Sequence, residues 1–395
     1  TDGKHYALCY NSPFPACFRF PMKFVVLLAA LCLSAVVHAQ SVPQPPSVAA
    51  KSWLLYDQTS GQLLASQGPD ERIDPASLTK LMTAYLTFAA LKQKTLALNQ
   101  TVPVSQRAWK APGSRMFIDL KTPVTVEELL RGMIVQSGND ACIALAEAIA
   151  GSEEAFAQLM NREAQRLGLK STHYTNSTGL TEPQHYTTAR DLVTLVAALI
   201  RDFPDFYPLY SEKEYTYNKI KQPNRNRLLW LDPTVDGVKT GHTEAAGYCL
   251  IASAKRGPRR LISVVLGTAS DSVRAQESQK LLNFGFQFYD SVQLYAKSQP
   301  VSEFKVFKGE AKTVKAGFLT DLVLSLPKGQ AEKLKTDLVS AQPLVAPISA
   351  GQPVGTMKLM IEDKPLGEYS VVALDSVPAA GFFGRAWDTV RLWLQ

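Results

Sequence analysis

The sequence is short of cysteine, which limits how covalent cross-links could stabilise the fold. The chain has five cysteines in 395 residues. Only Cys142 and Cys249 lie beyond the first 39 positions. A domain of this size can bury a sizeable apolar core and does not need a disulfide. We therefore expect Cys142 and Cys249 to be unpaired thiols.

Histidine is equally scarce, and its spacing excludes two common kinds of hydrolase site. Beyond residue 39 only His173, His185 and His242 remain. None lies in a G-x-S-x-G motif, which marks one large class of serine–histidine hydrolases. None shows the H-E-x-x-H spacing of a zinc site. The sequence therefore predicts no metal and no cofactor, and a serine nucleophile in this chain would need a base other than histidine.

Long apolar runs are also missing. The main run, from Phe24 to Val37, is interrupted by Ser34 and is too short to span a bilayer comfortably. It follows Met22-Lys23 and ends in Val37-His38-Ala39, a small-residue cleavage pattern. Residues 22–39 are therefore predicted to be a secretory signal peptide, cleaved before residue 40, and residues 1–21 to be upstream sequence outside the fold.

Charge is moderate and argues against one class of partner. The formal net charge is +7, yet no basic run with interleaved aromatics occurs, so nucleic acid is not an expected partner. A modest positive excess favours anionic surfaces such as phospholipid head groups or cell-wall polymer.

The segment 40–297 combines helical and strand-like patterns. After a Pro-rich linker at 40–50, a hairpin is predicted around 53–65, and residues 95–185 are predicted to be mostly helical. Capping residues Thr125, Ser152 and Thr188 mark three helix starts. Strand-like runs follow from about residue 215, and a closing helix is predicted from about 273 to 289. This order favours an α/β (α+β) domain with a helical lobe packed against an antiparallel sheet.

The remaining residues fall into two further segments. Apolar and polar residues alternate over 298–376, which predicts a small β-rich domain. Residues 377–395 place Phe382, Phe383, Trp387 and Trp393 on one helical face, with arginines on the other. Such a helix is typical of a membrane interface, although it could also dock on the protein's own β-rich domain.

A serine and a lysine lie one helical turn apart in "DPASLTK". Asp74 and Pro75 suit an N-cap and a first helical position, so Ser77 and Lys80 are expected to share a face of the first turn. A lysine near the positive end of a helix dipole is disfavoured in its charged form. A neutral amine there could remove the proton of the serine hydroxyl.

Two further motifs follow in order. Ser137-Gly138-Asn139 interrupts two helical patterns, and Lys239-Thr240-Gly241 lies on a predicted strand. S-x-x-K, S-D-N and K-T-G in this order form the signature of β-lactamases and penicillin-binding proteins, with Gly138 here in place of the aspartate. Each motif alone is weak, because serine turns and strand-end lysines are common. The ordered set is specific.

Four stretches extend this resemblance: "DPASLTKLMTAYL", "QSGNDACIALAE", "QPNRNRLLW" and "DGVKTGHTEAAGYCLIASAKR". The chain from Met22 to Gln395 resembles the low-molecular-mass penicillin-binding proteins of the 5/6 type, which are D-alanyl-D-alanine carboxypeptidases. The resemblance implies a β-lactamase/transpeptidase-like catalytic domain, a small all-β domain and a C-terminal amphipathic helix. It also implies an exported enzyme held peripherally on the periplasmic side of the inner membrane. Its expected partners are peptidoglycan pentapeptide, β-lactam antibiotics and the membrane surface.

The resemblance also implies roles for individual residues. Ser77 would attack the penultimate D-alanine carbonyl, Lys80 would take its proton, and Ser137 would bridge Lys80 to the leaving amine. The other expected site residues bind the substrate. Asn139 would hold the substrate amide, and Lys239 and Thr240 would bind the terminal carboxylate, with Gly241 beside them and Arg225 near the same carboxylate. The backbone N–H groups of Ser77 and His242 would form the oxyanion hole.

Three other functions remain open from the sequence. A class A β-lactamase would need a glutamate that activates the deacylating water, within a Glu-x-x-Leu-Asn loop. The nearest match, Glu214 to Asn218, has tyrosine in place of leucine, and its alternating residues predict a strand. A D,D-endopeptidase is the second alternative, because its first half-reaction is similar to that of a carboxypeptidase. The third is a non-catalytic penicillin- or wall-binding module with a vestigial site.

Overall fold

The computed structural model describes residues 44–393, without the side chains at positions 383 and 390–392. The predicted signal peptide at 22–39 and the upstream segment at 1–21 lie outside these residues. Within the described part, no helix is long and apolar enough to cross a membrane.

The first region is organised around one antiparallel sheet. Its strands in chain order are β1 (Ser52–Asp57), β2 (Gln62–Gln67), β3 (Thr101–Val102), β4 (Val124–Thr125), β5 (Glu214–Tyr217), β6 (Ile220–Pro223), β7 (Val235–Thr243), β8 (Gly247–Arg256) and β9 (Arg259–Thr268). Five of them form the sheet in the order β2-β1-β9-β8-β7, and β3–β4 and β5–β6 form two small pairs. Strand β7, which carries the third sequence motif, therefore lies at one edge of the sheet.

Helices cover both faces of this sheet. They are α1 (Lys80–Lys92), α2 (Gln106–Trp109), α3 (Val126–Arg131), α4 (Asn139–Ala150), α5 (Glu153–Leu167), α6 (Ala189–Asp202), α7 (Leu228–Leu231) and α8 (Asp271–Phe288). Side-chain oxygens of Thr125, Ser152 and Thr188 accept from backbone N–H groups at the starts of α3, α5 and α6, as predicted. These caps satisfy donors that a helix start would otherwise leave unpaired.

Two apolar cores lie on opposite faces of the sheet. One packs α1, α4 and α6 against residues such as Leu54 and Val264, and the other packs α8 against residues such as Leu55 and Val265. Neighbouring strand residues point to opposite faces, which is why these pairs separate. The predicted helical lobe against an antiparallel sheet is confirmed.

The prediction that 95–185 is mostly helical is wrong for three segments. Residues 95–105, 110–123 and 168–185 contain no helix. In the second of these segments, backbone groups bond to a buried side chain: the carboxylate of Asp140 accepts from the N–H groups of Met116, Phe117 and Ile118. Periodicity alone does not reveal such long-range partners.

The second region is β-rich, as predicted. Its strands are β10 (Tyr289–Tyr295), β11 (Pro300–Phe307), β12 (Thr313–Gly317), β13 (Leu322–Pro327), β14 (Leu334–Ser340), β15 (Leu344–Val345), β16 (Pro353–Ile361) and β17 (Lys364–Ala373). Six of them form a sheet in the order β14-β16-β17-β12-β11-β15, and β10 pairs with β13. Helix α9 (Phe382–Trp393) follows. The exact boundary at 297/298 stays a prediction.

The two regions meet at a buried carboxylate. Asp57, at the end of β1, accepts a hydrogen bond from Arg259 Nε at 2.7 Å and another from the hydroxyl of Ser325 on β13. Arg259 also donates to the carbonyl oxygens of Gly285 and Tyr289, where α8 passes into β10. A charged pair with several hydrogen bonds is the arrangement that tolerates burial.

Candidate active site

The nucleophile turn begins differently from the sequence prediction. Residues Ala76–Thr79 form a 3-10 turn, and the α-helix begins only at Lys80. Asp74 Oδ1 accepts a hydrogen bond from the Ala76 N–H at 2.7 Å. Its carboxylate therefore binds the first residue of this turn and does not cap the α-helix. Ala76 has φ 47°, a left-handed conformation that is strained for alanine. The turn thus presents Ser77 and Lys80 on one side.

The turn is held by close backbone packing at two glycines. A Cβ added at Gly179 would lie 1.7 Å from the Ala76 carbonyl oxygen, and one at Gly241 would lie 3.2 Å from the Pro75 carbonyl oxygen. Residue 179 also has φ +88°. Glycine at these positions lets one loop and strand β7 pack directly on the backbone of the turn.

Lys80 makes three contacts from a buried position. Lys80 is only 2% exposed. Its Nζ lies 3.0 Å from Ser77 Oγ, 2.7 Å from Asn139 Oδ1 and 2.6 Å from the Thr178 carbonyl oxygen. Burial is the main cause that lowers the pKa of Lys80, and Arg225 lowers it further. The structure therefore combines an amine biased towards its neutral form with a serine hydroxyl within hydrogen-bond distance.

The second motif lies at a break between helices, as predicted. A π-helical turn, Gly132–Gln136, ends at Ser137, which has φ 68°, and α4 begins at Asn139. Asn139 accepts from Lys80 and donates through Nδ2 to the Pro112 carbonyl oxygen at 2.7 Å. Its amide thus ties the lysine to the loop that forms one wall of the site.

Gly138 packs closely against its surroundings. A Cβ at this position would lie 2.8 Å from Asp140 Oδ1 and 3.2 Å from the Met116 backbone nitrogen. That space is occupied because the Asp140 carboxylate binds the loop at 116–118. Glycine in place of the motif's usual aspartate is therefore consistent with this wall of the site.

Lys239 faces the second motif from strand β7. It is 4% exposed, and its Nζ donates to Ser137 Oγ at 2.9 Å and to the Thr240 carbonyl oxygen at 3.0 Å. Burial, with Lys80 and Arg225 as further causes, lowers the pKa of Lys239 well below its usual value. Ser137 is thus hydrogen-bonded to Lys239 in this structure, whereas the sequence resemblance implied a link to Lys80; that role stays a prediction.

These residues surround one open cleft. The cleft has a volume of about 520 Å³. Its lining includes six of the predicted site residues: Ser77, Ser137, Arg225, Thr240, Gly241 and His242. The other three are buried: Lys80 donates to Asn139 and lies within hydrogen-bond distance of Ser77, and Lys239 donates to Ser137. All nine predicted residues therefore lie at one place.

Arg274 is a cleft residue that the sequence analysis missed. It lines the cleft from the start of α8, donates to the Gly241 carbonyl oxygen at 3.1 Å and pairs with Asp271. Together with Arg225 it makes this end of the cleft cationic. An arginine in a helix far along the chain gives no local signal; only the position of α8 beside β7 brings it to the site.

Among residues 44–393, no group of three or more histidine, cysteine, aspartate or glutamate side chains could hold a metal ion. Cys142 and Cys249 are both free and buried, as expected. Burial raises the pKa of Cys142 to about 12, so its thiol is protonated at neutral pH.

Comparison with known families agrees with this geometry. Residues 39–270 match the family model of D-alanyl-D-alanine carboxypeptidases, and residues 289–379 match the model of the penicillin-binding protein 5 C-terminal domain. The chain belongs to the D-alanyl-D-alanine carboxypeptidase family. The resemblance inferred from the sequence, and the fold class that it implied, are confirmed.

Individual relatives in this carboxypeptidase family cover most of the chain. D-alanyl-D-alanine carboxypeptidase DacC of Escherichia coli is 43% identical over 362 residues, 90% of either protein. DacA of Haemophilus influenzae is 42% identical and covers 94% of this chain and 95% of its own. The crystal structure of penicillin binding protein 5 from Haemophilus influenzae superposes with a TM-score of 0.82 at 41% identity, covering 85% of this chain and 99% of the other.

The structure also bears on the class A β-lactamase alternative. Glu214 lies on strand β5, paired with Pro223 of β6, and is exposed. It does not line the cleft around Ser77. The one sequence match to a deacylating glutamate loop is therefore a strand, as the alternation of residues predicted.

Proposed function

We propose that this protein is a serine-type D-alanyl-D-alanine carboxypeptidase that removes the terminal D-alanine from peptidoglycan pentapeptides. The observation that carries this proposal is the buried Lys80 amine, 3.0 Å from Ser77 Oγ. A base held at this distance, with its pKa lowered by burial, can take the hydroxyl proton as the serine attacks a carbonyl.

The reaction proceeds in two half-reactions. Ser77 Oγ attacks the carbonyl of the penultimate D-alanine while Lys80 takes its proton, and the backbone N–H groups of Ser77 and His242 stabilise the oxyanion. The C–N bond then breaks, and a proton passes from Lys80 through Ser137 to the leaving amine of D-alanine. Water hydrolyses the resulting ester and regenerates Ser77. Lys80 again acts as the base in this step.

The cationic end of the cleft supports recognition of a free carboxylate. Arg225 and Arg274 supply positive charge, Thr240 supplies a hydroxyl donor, and Lys239, which bonds to the Thr240 carbonyl oxygen, supplies an N–H donor at the same end. Arginine and lysine favour carboxylate ligands through charge-assisted hydrogen bonds. We assign the terminal carboxylate of the peptide to this end, Asn139 to the substrate amide, and Gly241 to the close passage of β7 beside the nucleophile.

β-Lactam antibiotics are proposed to acylate the same serine. A neighbouring structure, penicillin-binding protein D2 of Listeria monocytogenes, is described in its ampicillin-bound form and superposes with a TM-score of 0.57 at 30% identity, covering 62% of this chain and 100% of its own. A strained lactam carbonyl with an adjacent carboxylate fits the same arrangement of nucleophile and cations.

The direct test is the replacement Ser77→Ala. We expect loss of both labelling by a fluorescent penicillin and D-alanine release from a pentapeptide, because the nucleophile is absent. The matched control is Ser171→Ala, because Ser171 lies on a loop and does not line the cleft. Either activity persisting in Ser77→Ala would refute the assignment of the nucleophile.

Product analysis separates the remaining alternatives. Mass spectrometry after reaction with a muropeptide pentapeptide and with a cross-linked dimer should give loss of one alanine from the pentapeptide. Cleavage of the dimer alone would indicate a D,D-endopeptidase. Penicillin labelling without turnover of either would indicate a binding module, and rapid release of hydrolysed penicillin would indicate a β-lactamase.

We also propose that the protein is exported and lies peripherally on the periplasmic side of the bacterial inner membrane. Its parts would be a signal peptide (22–39), a catalytic domain (40–297), a β-rich domain (298–376) and an anchoring helix (377–395). Support comes from α9, where Phe382, Trp387 and Trp393 are 73%, 67% and 91% exposed. Large apolar side chains left in water on an amphipathic helix favour an interface.

Deletion from residue 379 tests the anchor. The protein should move from the membrane fraction to the soluble fraction, because the exposed aromatic face is lost. Trp387→Ser should weaken vesicle binding, whereas Trp230→Ser, at an exposed tryptophan on α7, should not. Tight membrane binding by the truncated chain would refute this role of the helix.

A further inference from the structure

His185 occupies a buried position between the nucleophile turn and the loop at 175–179. It is 3% exposed. Its Nε2 lies 2.8 Å from Thr79 Oγ1, and its Nδ1 lies 3.0 Å from both the backbone nitrogen and the hydroxyl oxygen of Thr175. A backbone N–H only donates, so Nδ1 must accept, and the ring proton must lie on Nε2 and point to Thr79.

The two residues that His185 joins lead directly to the base. Thr79 lies between Ser77 and Lys80 in the chain and is fully buried. Thr175 opens the loop whose Thr178 carbonyl oxygen accepts from Lys80 Nζ at 2.6 Å. His185 therefore connects the turn that carries the nucleophile and base to the loop that supplies one of the base's hydrogen-bond acceptors.

The loop is stiff between these two points. Asn176 Oδ1 accepts from the N–H groups of Thr178 and Gly179 and from the Thr178 hydroxyl. Glu153 Oε1 accepts from both the N–H and the hydroxyl of Ser177. The segment from Thr175 to Gly179 is thus held in one conformation by its own hydrogen bonds and is attached to its surroundings by His185 at Thr175 and by Glu153 at Ser177.

The direction of the Thr178 carbonyl matters because of the chemistry of a neutral amine. Lysine in its neutral form has two N–H donors and one lone pair, whereas Lys80 has three oxygen neighbours. The Asn139 amide oxygen and the Thr178 carbonyl oxygen can only accept, so they take the two N–H groups. The lone pair is then left facing the Ser77 hydroxyl, as a general base requires.

We propose that His185 is a positioning residue for catalysis, which holds the Thr178 carbonyl so that the lone pair of Lys80 faces Ser77. Burial lowers the pKa of His185 to about 4; Asp74 opposes this shift, whereas His173 and Lys80 add to it, so the ring stays neutral and both links persist at neutral pH. This proposal rests on the proposed function, since it assigns a task to Lys80 as the base.

The test compares two variants at residue 185 with the unaltered protein by the kinetics of penicillin acylation. His185→Leu removes both links, and we expect the acylation rate constant to fall about 100-fold, as small misplacements of reacting groups do. The dissociation constant of the initial non-covalent complex should not change, because the cationic end of the cleft is untouched. His185→Gln carries an amide oxygen and an N–H that can restore both links, and we expect it to regain most of the rate.

Two further variants separate positioning from folding. His173→Gln is the matched control and should be acylated at the normal rate. The ring of His173 lies just before the same loop, and its hydrogen bond goes to the Gln184 carbonyl oxygen. Thr79→Val removes the acceptor of His185 while keeping a similar shape. Its loss should match that of His185→Leu, and the double variant should lose no more than either alone, because both changes break one connection.

The outcomes are distinct. If the unaltered protein is not acylated, the proposed function fails. If it is acylated, and His185→Leu reacts as fast as His173→Gln, or the losses in Thr79→Val and His185→Leu multiply in the double variant, the positioning role alone is refuted. A fall in affinity rather than in rate constant would also refute it.

Discussion

The two regions of this protein bury very different side chains. Below the cleft, the interior of the catalytic region contains two lysine amines, an amide and a carboxylate: Lys80, Lys239, Asn139 and Asp140. In the described part of the β-rich region, from residue 298 to 393, the buried residues are apolar apart from Ser325 and Gln330. The first interior contains groups that can react or bind substrate, whereas the second contains mainly side chains that stabilise the fold by packing.

The difference shows what a reactive interior requires. Burying an amine is unfavourable unless it loses its proton or gains partners, and the catalytic region uses both: its lysines have lowered pKa values and each has several oxygen neighbours. The β-rich region has no such groups to satisfy, and its core consists of packed aliphatic and aromatic side chains. Function and stability are thus expected to respond to changes in different places.

The largest expected effect is on rate. Lys80→Met should lower penicillin acylation at least about 10³-fold, because the base is lost. The melting temperature should change only by a few degrees, since relief from burying an amine opposes the loss of hydrogen bonds to Asn139 and Thr178. Stopped-flow acylation and calorimetry measure the two quantities. Lys170→Met, at an exposed lysine, is the control and should change neither.

A change in the β-rich core should act in the opposite way. Leu324 on β13 is fully buried, and Leu324→Ala should destabilise this region by about 2–5 kcal/mol through the cavity that it leaves. Acylation by the folded protein should not change. Hydrogen exchange in β16 and β17 reports the stability, with the half-exposed Leu319→Ala as the control. A loss of acylation similar to that in Lys80→Met would show that the two interiors are not independent.

Acid should destabilise the catalytic region through His185. Its pKa is lowered from 6.5 to about 4 in the folded protein, so between these values the unfolded chain binds a proton that the folded chain does not. The free energy of unfolding therefore falls as pH drops from 6.5 to 4, by about 3 kcal/mol from this group.

His185→Gln should remove this component. Denaturant titrations at several pH values measure it as the difference between the two proteins. The β-rich region contains no histidine. If the unaltered protein and His185→Gln lose stability equally from pH 6.5 to 4, the burial of a neutral His185 is refuted.

The smallest expected effect lies where the two regions meet. Ser325→Ala removes one hydrogen bond to Asp57, which keeps its bonds to Arg259 and to the Thr59 N–H. We expect a loss of about 1 kcal/mol in the free energy of unfolding, with no change in acylation. Ser340→Ala, on the edge strand β14, is the control. A loss of several kcal/mol would mean that this contact stabilises both regions together.

The sequence predicted the parts of the site better than their connections. Motifs with defined local structure, such as the serine and lysine one turn apart and the caps at Thr125 and Ser152, were placed correctly, because neighbouring residues determine them. Long-range contacts were missed. The Thr178 carbonyl beside Lys80, the Asp140 carboxylate under the loop at 116–118 and the pairing of Ser137 with Lys239 each depend on how distant segments pack.

The helix start at Ser77 illustrates the same limit. Asp74 and Pro75 have the local character of a helix N-terminus, yet the chain forms a 3-10 turn with a strained Ala76 instead. Gly179 and Gly241, from distant parts of the chain, pack directly against the backbone of this turn. Local propensity describes the segment alone, and tertiary contacts override it.

Gly138 restricts how this site can diverge. An aspartate at that position would need the volume that the Asp140 carboxylate and the Met116 backbone now occupy. The Asp140 carboxylate would have to shift to admit the larger side chain, and its hydrogen bonds to the loop at 116–118 would shift with it. Divergence at the middle motif is thus coupled to the conformation of a loop that lies more than twenty residues before Asp140 in the chain.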